Sequence, residues 1–338
     1  MKTINLLYTF VVLSLIGIIY NGFKRKYLDD ENEHYKMVKK YLLNDSDEFL
    51  KNLPDSKLPI IWIHSKYEVN ARNWVDFYSR NTTDLNQPYK ELTLKTIIDK
   101  CGSDFNICLI NDESFSDLIP NWNIDIHKVA DPIKSNIREL AIARVLDTYG
   151  GMLLPDSFIC LDSLKYIYNT GIENDKMFVS ELLHTNNVNT PECNMDTRDN
   201  YYPSTKLMGC AKENQSMKCY INMLETLISQ DSTAESIFTG EIQLWLNEKV
   251  KNEYVNIITS EYLGGRDNNG KLVTLDELMG SSFIEFHDSM LGIYIPDNEL
   301  LLRSKYSWLS RLSSQQVLES NNVLGKYLVL ASGISVSM

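Results

Sequence analysis

The chain alternates short, uniformly apolar runs with longer segments whose apolar residues recur every three or four positions. Runs of the first kind suit strands covered on both faces, and segments of the second suit helices that bury one side. Leu58 to His64, Phe105 to Ile110, Met152 to Leu154, Met177 to Ser180, Lys206 to Cys210 and Gly292 to Ile295 therefore predict strands. Helical spacing predicts helices over Leu92 to Cys101, Phe115 to Leu118, Pro132 to Tyr149, Leu164 to Tyr168, Asn214 to Ile228 and Phe238 to Lys249, with more after Pro296. A short strand is expected within Trp122 to Val129. Single strands alternating with helices argue for an α/β fold with a mostly parallel sheet and helices on both faces. No internal repeat or second unit interrupts the pattern, so residues 58–338 are expected to form one domain with a helical C-terminal part.

The stretch from Asp131 to Leu164 organises this order. Asp131 and Pro132 suit the start of a helix, one as a cap and the other as a first residue that needs no N–H. Ile137, Leu140, Ala141, Val145 and Tyr149 line one face until Gly150-Gly151. The strand Met152 to Leu154 follows, and Pro155 ends it. In open α/β sheets ligands lie beyond the carboxyl ends of strands, which marks Asp156 and Ser157 as candidates.

Two earlier segments differ in character. Ile4 to Tyr20 is an apolar run followed by Lys24-Arg25-Lys26. At about 1.5 Å per residue it falls somewhat short of a hydrocarbon core of about 30 Å. No small-x-small cleavage pattern follows it, so residues 1–22 are expected to be an uncleaved, single-pass membrane anchor. Residues 23–57 read equally as a charged helical stem and as a solvated spacer. The three cations favour a cytoplasmic C-terminal side. Sequons at Asn44, Asn81 and Asn214 fit a lumen, though a chain rich in Asn and Ser produces several by chance.

Charge narrows the partners. A net charge of −12 disfavours a nucleic-acid backbone, which is held by clustered lysine and arginine. The six cysteines include no Cys-x-x-Cys pair, so a zinc site is not expected. Cys108 and Cys160 lie in apolar runs and read as buried thiols, while two or three disulfides remain open.

The helix, Gly-Gly, short strand and polar tip resemble the Asp-x-Asp region of sugar-nucleotide glycosyltransferases of the GT-A fold, in particular the capsular-polysaccharide and mannosyltransferase-like families. The resemblance spans roughly residues 58–245. It implies a GT-A-like sheet and transfer of a sugar from a nucleotide-sugar donor to a hydroxyl of a glycan, lipid or protein acceptor. Enzymes of these families with such anchors usually face a lumen, against the orientation that the cations favour. His64 matches the position where the base lies, after a first strand that commonly reads Ile-Pro-Lys-Ile-Ile-His. Aligning Gly150 and Gly151 with the family's glycines puts Pro155 and Ser157 at the two acidic positions and Asp156 between them, so the motif is degenerate. The helix aspartate falls on Glu139 and the helix arginine on Ile142, with Arg138 and Arg144 nearby.

Two carboxylates would hold a hard divalent cation, manganese or magnesium, against the leaving diphosphate. Asp156 is the only motif candidate for such a ligand, so metal-independent use of the donor is the favoured expectation. Cations would then take the metal's place, with Arg303, Lys305 and Arg311, preceded by Arg266, as the late cluster. Asn70 and Arg72, among aromatics, suit a sugar or nucleotide but equally suit a satisfied loop. Thr239-Gly240 resembles an acceptor-side turn, which makes Glu241, at an expected helix start, the candidate catalytic base. The polar stretch 184–202 is a candidate lid. The alternative is a non-catalytic relative that keeps the fold as a binding or scaffolding protein.

Overall fold

The computed structural model describes residues 58–65, 87–181, 203–230 and 235–333. The expected anchor and stem, Asn70, Arg72 and the 184–202 stretch lie outside them. No helix among the described residues is long and apolar enough to cross a membrane.

The central sheet contains β1 (Ile60–His64), β2 (Asn106–Ile110), β3 (Gly151–Leu153), β5 (Met177–Glu181), β6 (Pro203–Cys210) and β7 (Val255–Ile258), in the order β2-β1-β3-β6-β5-β7. β2, β1 and β3 run parallel, as do β5 and β7, while β6 is antiparallel to both of its neighbours. The chain is thus a mixed α/β protein with a mainly parallel sheet, as the alternation of runs predicts. The carboxyl ends of five strands, β1, β2, β3, β5 and β7, share one edge.

Both faces are covered, which explains why the strands are apolar without alternation. Ile60, Trp62, Cys108, Ile110 and Leu153 pack beneath α3 (Ile133–Tyr149), α5 (Gln215–Ser229) and α6 (Glu235–Lys251). Ile61, Ile63, Ile107, Leu109 and Met152 face α1 (Tyr89–Cys101) and α4 (Lys165–Gly171). Each such side chain, fully buried, contributes about 1.5–3 kcal/mol. α2 (Ser114–Leu118) follows β2.

A second, two-stranded sheet joins β4 (Phe158–Cys160) to β8 (Gly292–Tyr294), antiparallel. It carries a C-terminal core with Val273, Leu278, Ile293, Leu300, Leu324 and Leu328. The helices there are α7 (Leu275–Leu278), α8 (Asp297–Leu302), α9 (Ser314–Leu318) and α10 (Val323–Ser332).

Three local expectations change. The segment expected to be a strand near Trp122 holds a 3-10 turn, Ile126–Lys128, because the Asp125 side chain accepts from the His127 N–H and closes it. α3 begins at Ile133, and Asp131 accepts from the Ser135 hydroxyl at 2.7 Å. Thr239-Gly240 lies inside α6, so Glu241 stands in the body of that helix and not at its start.

Gly150 and Gly151 have a packing reason. Both have positive φ, +73° and +98°, and a Cβ on Gly151 would come within 2.3 Å of the Ile60 carbonyl oxygen. The close approach lets β3 enter the sheet beside β1, while Trp62 Nε1 donates to the Gly150 carbonyl at 2.9 Å.

Candidate functional site

The shared carboxyl edge gathers His64 from β1, Asp112 beyond β2, Asp156 beyond β3 and Glu181 at the end of β5. Three carboxylate clusters result, and they differ in how many donors each carboxylate has.

Asp112 is rich in donors. Arg138, from the first turns of α3, binds it through two parallel bonds of 2.8 and 2.6 Å, and His64 Nε2 stands at 3.1 Å. The Lys134 ammonium, one turn earlier on α3, lies 4.0 Å away, outside hydrogen-bond reach. Burial would raise the Asp112 carboxyl, but the bonds from His64 and Arg138 hold it well below the usual carboxylate range. His64 is itself fixed by stacking on Phe115, 5.4 Å between ring centroids. Among the described residues, the two positive charges of Arg138 and Lys134 stand beside the single negative charge of Asp112.

Asp156 is poor in donors. Lys90, in the first turn of α1, reaches it at 3.0 Å and also reaches Asp297, at the start of α8, at 2.7 Å. One ammonium thus serves two carboxylates, and all three side chains are less than a fifth exposed. Burial pushes the Asp156 carboxyl up, and Lys90 offsets this only in part. Asp297 is held low despite its burial, chiefly by Lys90, and the two carboxylates outweigh burial to raise Lys90. The ammonium is therefore firmly protonated, and the Lys206 charge also acts on Asp297.

Glu181 forms the third cluster. It is buried, accepts from the Ser260 N–H at 2.9 Å and hydroxyl at 2.6 Å, and pairs with Arg266. These bonds outweigh burial and hold its carboxyl low. Arg266, expected among the late cations, is thereby committed beside the edge.

The other predicted residues are dispersed. The Ser157 hydroxyl donates to the Ile295 carbonyl at 2.7 Å, and the Ser157 carbonyl accepts from the Ile295 N–H at 2.9 Å, which ties the small sheet together. Glu139 accepts from the Tyr220 hydroxyl at 2.8 Å and so joins α3 to α5. Gly150 and Gly151 lie at the amino end of β3, away from Asp156. Arg303 and Lys305 pair with Asp276 on α7, Arg303 also with Glu299, and Arg311 is exposed near Ser307. Glu241 is exposed.

Whether the family's divalent ion fits here can be read from the ligand chemistry. A hard cation needs several oxygen ligands. Pro155 offers no side-chain oxygen, the Ser157 hydroxyl is spent on Ile295, and Asp156 already faces a buried ammonium. Among the described residues no three His, Cys, Asp or Glu side chains gather to hold an ion. The described residues do not fit the metal.

Lys90, Asp112 and Asp297 escaped the sequence reading. Asp112 follows an apolar run just as His64 does, and that is the signal that marks it. Lys90 sits where a helix dipole disfavours a cation, and that misplacement was its only mark. Asp297 reads as an ordinary first-turn carboxylate.

No protein-family model matches the sequence, and no curated protein matches it. Among solved structures, a galactosyltransferase, LgtC, in complex with donor and acceptor sugar analogues is similar at 9% identity and a TM-score of 0.37, covering 82% of this chain and 97% of that one. An active-site mutant of LgtC is similar at 11% identity and a TM-score of 0.30, over 60% and 74%. Scores this low leave the α/β description resting on the strand order itself.

Proposed function

We propose that this protein is a membrane-anchored, glycosyltransferase-like protein of GT-A type that binds a nucleotide-sugar at the carboxyl edge of its sheet and passes the sugar to an acceptor hydroxyl without a metal ion. The observation that supports the reading is the difference in cationic partners between two neighbouring clusters, Asp112 with Arg138, Lys134 and His64, and Asp156 with Lys90 and Asp297. The first has cationic charge to spare for the diphosphate that builds up negative charge as it leaves. The second replaces an ion between carboxylates with a fixed ammonium and leaves oxygen acceptors for sugar hydroxyls. His64 bonds to Asp112, lies within electrostatic reach of Asp156 and stands where the resemblance puts the base.

In this account Arg138 and Lys134 bind the diphosphate and His64 orients the nucleotide. Lys90 keeps two carboxylates from repelling each other. Glu241 is kept only as a proposed base, since the helix-start argument for it does not apply within α6.

A second reading, a non-catalytic relative, draws on Asp156, whose side chain is 14% exposed and engaged by Lys90. One experiment separates the two. A panel of nucleotide sugars is titrated calorimetrically, and release of free nucleotide is followed with candidate acceptors. Binding with release supports transfer, binding without release supports the relative, and no binding across the panel overturns both.

A further inference from the structure

The seam between α1 and β4 is held by bonds that run along its whole length. The Thr93 hydroxyl donates to the Asp156 carbonyl at 2.6 Å, and the Cys160 N–H donates to the Thr96 hydroxyl at 3.0 Å. At the far end Cys101, the last residue of α1, meets Cys160, the last of β4, with 3.6 Å between the sulfur atoms. Both side chains are fully buried, on the same face of the sheet. Cys108 and Cys210 lie in the core on the opposite face, and Cys219 is exposed.

We propose that Cys101 and Cys160 are a cross-linking site, a cysteine pair that closes to a disulfide when the chain meets a disulfide oxidant such as oxidised glutathione. At 3.6 Å the two sulfur atoms are in contact, and they must close by about 1.5 Å to reach the bond length of about 2.05 Å. In the reaction the Cys101 thiolate attacks a sulfur of the oxidant, whose other half leaves as a thiol. The Cys160 sulfur then displaces the bound half and forms the Cys101–Cys160 bond. The protein loses two protons and two electrons, and the oxidant takes them up to become two thiols. Cys101 suits the attacking role because its contact with the Cys160 sulfur draws its pKa below the usual thiol value against the opposing effect of burial.

The bond would close a loop of 59 residues and fix the end of the seam opposite Lys90 and Asp156. It would also report the compartment, since such a bond persists in a lumen and is reduced in cytosol.

The full chain is equilibrated in reduced and in oxidised glutathione buffers, both native and after refolding in the same buffer, so that burial does not block access. It is then denatured, alkylated and digested for mass spectrometry. The expected result in oxidised buffer is a peptide joining Cys101 to Cys160, two fewer alkylated thiols, and a thermal midpoint several degrees above that of the reduced protein. Cys101→Ser and Cys160→Ser should each abolish the cross-linked peptide, and Cys108→Ser should leave it. Full alkylation of both residues after refolding in oxidised buffer, or pairing of either with another cysteine or with glutathione, would overturn the proposal.

Discussion

Asp112 and Asp156 occupy equivalent places, each just beyond the carboxyl end of a parallel strand, yet their surroundings drive them in opposite directions. Asp112 is held by Arg138 and His64, with Lys134 in reserve, and its carboxyl is held down. Asp156 shares one ammonium with a second carboxylate, and burial holds its carboxyl up. The difference teaches that position on a sheet edge nominates a residue, but the count of donors around it decides its charge and hence what it can bind. A donor-rich carboxylate leaves cationic charge for an anion, whereas a donor-poor one repels further anions and favours neutral hydroxyls.

The comparison breaks most visibly at Lys90. Lys90→Met leaves two buried carboxylates facing each other, and removal of one partner from a buried ion pair costs about 3–5 kcal/mol. A urea unfolding midpoint close to that of the unmutated protein would show that the cluster is solvated and the contrast unfounded. Arg138→Met is expected to cost less, about 1–3 kcal/mol, because His64 and Lys134 remain beside Asp112. A loss larger than that of Lys90→Met would reverse the ranking of the two clusters.

Acid titration sharpens the contrast. A carboxyl held low in the folded state stabilises fully above its unfolded pKa, about 3.9, and that contribution is lost as the pH falls below it. Asp112 should behave so. A carboxyl held high is a cost at neutral pH that is relieved as the pH falls through its folded pKa, as expected of Asp156. Urea midpoints measured from pH 7 to pH 3 should therefore lose part of their low-pH decline in Asp112→Asn. In Asp156→Asn the midpoint should rise at pH 7 relative to the unmutated protein, and this gain should shrink toward pH 3. Identical pH profiles for the two variants would remove the distinction. The smallest effect is expected at Lys305→Ala, an exposed pair with Asp276 whose loss should shift neither the thermal midpoint nor donor affinity measurably.

The chain's own pattern makes the sheet legible. Ile61, Ile63, Ile107, Leu109 and Met152 stand in adjacent strands because continuous apolar runs have few other places to go. The Gly-Gly hinge is legible as a hinge, and its cause, the Ile60 carbonyl, is visible only once β1 and β3 are side by side. β8 is legible as the apolar run from Gly292, whereas β4 escapes notice because it is three residues long and its partner, reached through Phe158 and Tyr294, lies across most of the C-terminal half. The site divides in the same way. His64, Arg138 and Asp156 follow from strand ends and one helix, whereas Lys90 and Asp297 are brought together from positions 207 residues apart, which no local spacing encodes.

The central claim is that fixed cations and not a bound ion receive the diphosphate. It is tested most directly by titrating the best-binding nucleotide sugar into the protein in chelator, in manganese and at raised salt, alongside Lys134→Ala. The account predicts affinity unchanged by chelator, weakened by salt, and reduced about tenfold in Lys134→Ala. Binding that appears only with manganese and is indifferent to Lys134 would contradict it.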